Sequence, residues 1–431
     1  MFLLLAVAGI SMAACSDDNE VVREEGNLLY NQWGFVFLPK GGEEEFIFSA
    51  DKDWEATLFY AGDEKDWCSL SAYSGEAGNM SLMIQATKND GFGRVASLVL
   101  KAGNDVDSIS LVQAGPLAEL KVNPAGKLDY LLRWLYDNSN WVYELEELTL
   151  TGELNGTDFD YIRNMLYGSE YGDDYVLHKL DLSGVRIVAG GNYDYFYFSG
   201  QTKDDEVTEG LFSGLDDLDE LVLPRVLHRI GKYAFSGTPI PSIDIPEGVT
   251  YIDGYAFEDC WRLASITLPG TLTEIGEYIF TGCSQLASIT LPRSLTVIGA
   301  SAFSGSGITS IDIPEGVTRI EDSTFDGCSQ LSSVTLPNTV TEIGIRAFGD
   351  CTGLTNIELP ETLHIMEVAA FAGCTNLTEI HLKAEQPPFL YGTTTDLSHC
   401  TLYIPRGSLS AYQSCLDWES YQRIFKAIVE E

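Results

Sequence analysis

With 431 residues, 45% of them hydrophobic, and a mean hydropathy of +0.01, the chain is long enough for two or three domains and has a core-forming composition. Its 64 acids against 25 Lys and Arg leave a formal charge of −39, which repels a nucleic-acid backbone and an anionic bilayer face alike and excludes nucleic acid as a partner. No stretch reaches the roughly 18 uninterrupted apolar residues of a membrane-spanning helix.

The first residues, "MFLLLAVAGISMAACSDDNE", run apolar from Phe2 to Ile10, then small up to Cys15, then abruptly acidic. That is the pattern of a secretory signal. Met12-Ala13-Ala14-Cys15 resembles the lipobox of bacterial lipoproteins, which implies acylation of Cys15 and a membrane contact made only through that lipid anchor. The acids that follow resemble the export tag of Bacteroidetes surface lipoproteins, implying display outside the outer membrane. Residues 1–15 are accordingly read as the signal peptide and 16–28 as an acidic linker.

Residues 29–115 hold short alternating runs, "EEFIFSA", "WEATLFY", "NMSLMIQAT", "VASLVLKA" and "DSISLVQAG", parted by Gly, Asp and Asn turns. Such spacing predicts a β-sandwich of immunoglobulin-like size, with Trp54 and Trp67 in its core. The stretches "DKDWEATL", "DWCSLSAYSGEAG", "NDGFGRVASLVL" with Arg94, and "ISLVQAG" ending at Gly115 resemble a BACON domain. The resemblance implies a spacer or a carbohydrate- or mucin-binding module.

Further on the chain becomes periodic. Phenylalanines stand at 212, 235, 257, 280, 303, 325, 348 and 371 and prolines at 224, 246, 269, 292, 314, 337 and 360, always 22 or 23 residues apart. This period is that of leucine-rich repeats. Each unit reads Leu-x-x-Ile-x-Leu-Pro, as at Leu286, Ile289, Leu291 and Pro292, which predicts a short strand closed by proline and followed by a Phe plug. No coil buries its apolar face alone, so coils stack about 4.8 Å apart, and eight of them span on the order of 40 Å. Phe235, Phe257, Phe280, Phe303, Phe325, Phe348 and Phe371 are the expected repeat core. Three residues after the repeat Phe come Cys260, Cys283, Cys328, Cys351 and Cys374, with Leu215, Thr238 and Ser306 in the remaining units. Stacked in register they point alike rather than at each other, so buried free thiols are expected instead of disulfides or a metal site.

The recurring "LPxxVTxIGxxAFxGCxxLxxIxLP" resembles the BspA-like leucine-rich repeats of bacterial surface proteins over residues 210–383. The resemblance implies irregular N-terminal coils over 116–209 and a C-terminal cap over 384–431, in which Tyr412, Trp418, Tyr421 and Ile424 would cover the last coil. The expected fold is mainly β: an immunoglobulin-like sandwich, then a capped leucine-rich-repeat solenoid.

Five histidines, at 178, 228, 364, 381 and 399, stand in no nucleophile, metalloprotease or Cys-His context. Catalytic residues, cofactor and metal are all read as none, and the protein as not an enzyme. Binding remains. The outward strand positions, such as Ala264, Ser265 and Thr267 or Ser332, Ser333 and Thr335, are small and hydroxylated, which suits an extended protein partner better than a sugar ring. Two residues before the repeat Phe stand Tyr233, Tyr255 and Tyr278, then Ser301, Ser323, Arg346 and Ala369. With Tyr251 and Trp261 of the same coils they form the candidate ligand-binding strip, beside Tyr193, Tyr195 and Tyr197; ordinary packing is the alternative. The expectation is a monomeric lipid-anchored surface protein that binds a host or microbial protein, or else captures glycan or mucin for uptake.

Overall fold

The protein is described here from a computed structural model covering residues 28–30, 34–37, 40–61, 64–113, 115–135, 145–166, 177–195, 197–215, 218–391, 400–418 and 428–430. Cys15, Tyr421 and Ile424 lie outside these residues. The chain divides into two compact units, Met1–Pro116 and Leu117–Glu431. Among the described residues no helix is long and apolar enough to cross a membrane.

In the first unit, strands alternate buried and exposed side chains because each sheet has one covered face. β1 (Leu28–Tyr30), β2 (Gly34–Phe37), β3 (Gly42–Ala50), β4 (Trp54–Ala61), β5 (Cys68–Leu70), β6 (Ser74–Gly75), β7 (Gly78–Ala86), β8 (Arg94–Ala102) and β9 (Asp105–Gln113) make two sheets, ordered β1-β3-β7-β5 and β2-β9-β8-β4-β6. The pairs are antiparallel except β2 with β9, which is parallel. Phe46, Phe48, Leu82 and Ile84 from one sheet and Phe35, Trp54, Leu98 and Leu111 from the other share one buried core. Trp54 meets Phe48 edge-on at 5.1 Å, and both Trp54 and Trp67 are buried, so neither presents a ring to solvent. The Arg94 guanidinium lies 5.2 Å over the Trp67 ring and donates to Gln113 Oε1 (2.9 Å) and Glu64 Oε2 (2.9 Å), tying the start of β8 to its neighbours.

The second unit opens with β10 (Leu117–Val122), helix α1 (Leu128–Leu135), β11 (Glu147–Leu154), helix α2 (Gly156–Leu166) and β12 (Lys179–Ile187). β10, β11, β12 and the strand at Glu220–Val222 pair in parallel, so coil stacking starts before the regular repeats do. A hairpin, β13 (Gly190–Tyr195) and β14 (Phe198–Thr202), leads into them.

Each regular coil then has three sides, and its apolar pattern follows from them. In one coil Leu272, Ile275, Ile279, Phe280, Cys283 and Leu286 are all fully buried. A two-residue strand bonds back to the previous coil (Thr273 N→Thr250 O 3.0 Å, Gly276 N→Ile252 O 2.8 Å). The turn that carries the Phe bonds forward (Tyr255 N→Glu277 O 2.8 Å, Phe257 N→Ile279 O 3.0 Å, Asp259 N→Thr281 O 2.8 Å). A second short strand, such as Ser265–Thr267, completes the coil and pairs in parallel with Ser242–Asp244.

The repeat phenylalanines are at most 3% exposed and form a continuous stack from Phe212 to Phe371, with centroids 4.9 to 5.7 Å apart. Beside them the cysteines are free and buried. Each thiol donates to the Phe carbonyl of the preceding coil, as in Cys260 Sγ→Phe235 O (3.0 Å), Cys283 Sγ→Phe257 O (3.1 Å) and Cys374 Sγ→Phe348 O (2.9 Å). Thr238 makes the same bond to Phe212 O through its hydroxyl, which explains why a small hydroxyl residue can replace cysteine here.

Two departures from strict repetition appear. Pro246 and Pro314 follow their Phe by 11 residues, whereas Pro292 follows Phe280 by 12. In both of these coils the following strand, Ser242–Asp244 or Ser310–Asp312, is not sheet-paired with the coil before it. Ser288–Thr290 is not a paired strand, contrary to the reading of Leu286, Ile289 and Leu291 as one. Among the described residues, moreover, no backbone hydrogen bond joins Val297–Ile298 to Arg319–Ile320, although the turns of the same two coils remain bonded (Ser301 N→Asp322 O 2.9 Å, Phe303 N→Thr324 O 2.9 Å). Arg319 turns away from this gap, pairing with Glu321 (2.9 Å), Glu342 and Glu367 (3.0 Å).

At the C-terminal end Tyr412 and Trp418 are buried and meet edge-on at 5.5 Å. Tyr412 Oη donates to Ala384 O (2.8 Å) and Trp418 Nε1 to Pro388 O (2.9 Å), so both polar tips are satisfied as burial requires.

Candidate functional site

The tyrosine column sits where the backbone turns left-handed. Tyr233, Tyr255 and Tyr278 have φ of 55°, 60° and 54°, and the same conformation recurs at Ser301, Ser323, Arg346 and Ala369, so it belongs to the coil rather than to the tyrosines. A left-handed non-glycine residue costs about 1 to 2 kcal/mol, offset here by the forward hydrogen bonds of the turn. Held at this angle, the three side chains stack with centroids 4.7 Å apart at both steps and interplanar angles of 28° and 12°. Phe198 of β14 extends the ladder, 5.5 Å from Tyr233. Lys232 Nζ lies 5.4 Å from the Tyr233 ring and 4.9 Å from the Tyr255 ring, with Glu277 at 4.0 Å.

The other candidates fall in different places. Tyr251 stands outward on the back-bonded strand, under the Arg229 guanidinium (4.7 Å), and donates to Asp253 Oδ1 (3.2 Å); Arg229 is ion-paired to the same carboxylate. Tyr251 therefore stands on the short strand that leads into the turn carrying Tyr255. Trp261, 56% exposed, follows Cys260 directly, and among the described residues no ring contact joins it to the ladder. Tyr193 is buried, donating to Glu209 O (3.0 Å), while Tyr197 is open to solvent.

Half-burial shapes the electrostatics. Burial, then the Glu277 carboxylate, raises the Tyr255 phenol; burial, then Asp253, raises that of Tyr251. Burial beside Asp259 also raises the Glu258 carboxyl. The phenols thus stay protonated donors at neutral pH. Because the rings lie face to face, each covers its neighbour's π-surface, and the ladder shows solvent a row of ring edges and hydroxyls with an ammonium beside it. That surface suits polar and edge-on contact better than the flat stacking by which sugar rings are gripped.

Sequence reading missed Phe198, which lies outside the repeat, and the residues that finish the first coil. Regular coils send three turn N–H groups forward, so the first coil has three carbonyls with no donor behind them. Tyr193 supplies Glu209 O, and the buried Arg163 of α2 supplies Leu211 O (2.6 Å) and Ser213 O (2.9 Å), while Phe159 closes the Phe stack edge-on at 5.7 Å from Phe212. The available signal was Arg163 standing four residues after Phe159, on the apolar face of a helix.

Comparison with known proteins adds the family. Six copies of the BspA type leucine rich repeat region match residues 205–332 and 296–387, and the BACON binding domain matches residues 57–114. A search of curated proteins found no match. Among solved structures, a T. pallidum leucine rich repeat protein is 29% identical over 40% of this chain and 71% of its own, with a TM-score of 0.33. A leucine-rich repeat protein from Bacteroides ovatus is 22% identical over 67% and 84%, TM-score 0.31, and a leucine rich cell surface protein from Faecalibacterium prausnitzii 19% identical over 73% and 88%, TM-score 0.33. The chain thus carries a BACON domain followed by a BspA type leucine rich repeat region.

Proposed function

We propose that this is a non-enzymatic cell-surface lipoprotein, anchored through Cys15, whose solenoid binds a host or microbial protein while the BACON unit acts as spacer or accessory module. The observation that carries the reading is the aromatic ladder of the first coils, Phe198–Tyr233–Tyr255–Tyr278, with Lys232 beside it and the Arg229–Tyr251 pair on the strands that lead into its turns. Tyr and Arg dominate the energetic centres of protein interfaces, offering large rigid contact area with polar ends. The 56% exposed Trp261 favours a second reading, capture of glycan or mucin, since an open indole is the usual sugar platform. Binding to a panel of purified host extracellular proteins, to intact mucin and to deglycosylated mucin separates the two. Protein binding that Tyr278→Ala and Arg229→Ala weaken about tenfold, in variants that remain fully folded at the assay temperature, supports the proposal. Binding of intact but not deglycosylated mucin, lost in Trp261→Ala, replaces it with glycan capture.

A further inference from the structure

A stack of rings has two ends, and in this ladder they are finished differently. Gly210 stands two residues before Phe212, as Tyr233, Tyr255 and Tyr278 stand two before Phe235, Phe257 and Phe280, and it shares their left-handed backbone (φ 62°). It brings no ring of its own. Phe198 of β14 takes the place instead: a Cβ added to Gly210 would lie 2.3 Å from Phe198 Cγ, and the Phe198 ring lies 5.5 Å from that of Tyr233. The protein thus fills one vacant rung of the ladder with an aromatic side chain brought in from another segment.

At the other end the rung after Tyr278 is also without a ring. Ser301 has the same left-handed backbone (φ 55°) and is buried, so its short side chain ends low in the turn, and Ser323 follows it in the next coil. Among the described residues no ring stacks on the side of the half-buried Tyr278 away from Tyr255. The surroundings on this coil are uncharged. Its strand pairs in register with Glu274–Ile275 and carries Val297, 42% exposed, where the coils on either side carry Glu274 and Arg319; Ala300 stands where those coils carry Glu277 and Asp322.

We propose that this rung is the docking point for an aromatic side chain of the partner protein, laid against Tyr278 as Phe198 is laid against Tyr233. The inference rests on the ladder being the binding surface and names the group that it takes. Ring-on-ring contact at the 4.7 Å spacing of Tyr255 and Tyr278 is already the ladder's own mode of packing, and the uncharged Val297 and Ala300 tolerate an apolar neighbour that the flanking acids and Arg319 would not. A pyranose can also lie on a ring face, but its hydroxyls need polar side chains around the platform, and this coil offers Val297, Gly299 and Ala300 there.

Saturation-transfer NMR titrations of the full chain with N-acetyl-phenylalaninamide, N-acetyl-leucinamide and methyl glucoside test this. The phenylalanine amide should bind at least about fivefold more tightly than either of the others. Ser301→Tyr fills the rung from within, as tyrosine does at 233, 255 and 278, and should weaken the phenylalanine amide about tenfold. Tyr278→Leu should make the two amides bind alike, and it decides the matter alone if Ser301→Tyr does not fold. Equal binding of the two amides to the wild type, glucoside binding as tight as that of the phenylalanine amide, or a phenylalanine preference that survives in folded Ser301→Tyr or in Tyr278→Leu would each overturn the proposal. The amides probe the rung with no partner protein present, so failure here and failure of the protein panel are separate results.

Discussion

Phe303→Ala would empty the middle of the phenylalanine stack. Phe303 is fully buried between Phe280 at 5.4 Å and Phe325 at 5.6 Å. Removing a buried Phe side chain costs about 3 to 5 kcal/mol, and the upper half of that range applies because rings held by their own coils on both sides cannot move in to close the void. Tyr255→Ala, by contrast, removes a half-exposed ring with two stacked neighbours, each pair contributing about 0.5 to 1.5 kcal/mol, so it should cost about 1 to 3 kcal/mol. Urea denaturation followed by circular dichroism gives both values. Hydrogen exchange should show the Phe303→Ala damage first in the coils of Phe280 and Phe325, since stacked repeats couple to nearest neighbours. A Phe303→Ala cost below about 2 kcal/mol would refute the plug. Equal costs for the two variants would make the tyrosines packing residues and remove the candidate site.

Arg163→Met should destabilise the first coils by about 3 to 5 kcal/mol, since it strands buried carbonyls that cost about 1 to 3 kcal/mol each; local hydrogen exchange at residues 207–215 reads it. Gly276→Ala places a Cβ 2.3 Å from Gly254 N, so a melt should show a loss of at least about 2 kcal/mol or a failure to fold. Burial pushes the Cys260 thiol up to about 12 and Cys328 up to about 11 from an ordinary 9.0. The unfolded thiols ionise first, so this contribution to stability is complete below about pH 9 and is lost as pH rises through 11 to 12. The melting temperature should therefore drop in that window, less so in a Cys260→Thr/Cys328→Thr variant. Cys15→Ala should release the protein from the membrane fraction on cell fractionation, and protease shaving of intact cells should degrade the wild type.

The solenoid was readable because its constraint is periodic. A Phe every 22 or 23 residues states the coil register outright, and the shared position of Cys, Thr and Ser points to a small side chain facing inward. What spacing does not state is orientation. The tyrosine column was visible at 233, 255 and 278, but that its rings consume one another's faces depends on a positive φ that no residue type announces, least of all tyrosine. Arg163 and Phe198 escaped for a different reason: each acts on the repeats once, from a segment that does not repeat.

The unlaced strand between Ile298 and Ile320 makes the stack mechanically uneven. Neighbouring coils there are fastened along the Phe turn and along the Ser310–Asp312 and Ser333–Thr335 pair, but free on the third side, and the Arg319 ion pairs reinforce only the coils beyond it. A stack held on two sides of three does not resist all loads alike. Pulled or bent, it should yield first at this joint and in one plane, with the Phe303–Phe325 contact as the spine about which the gap opens, so force on the molecule would be relieved by flexing there before any coil unwinds.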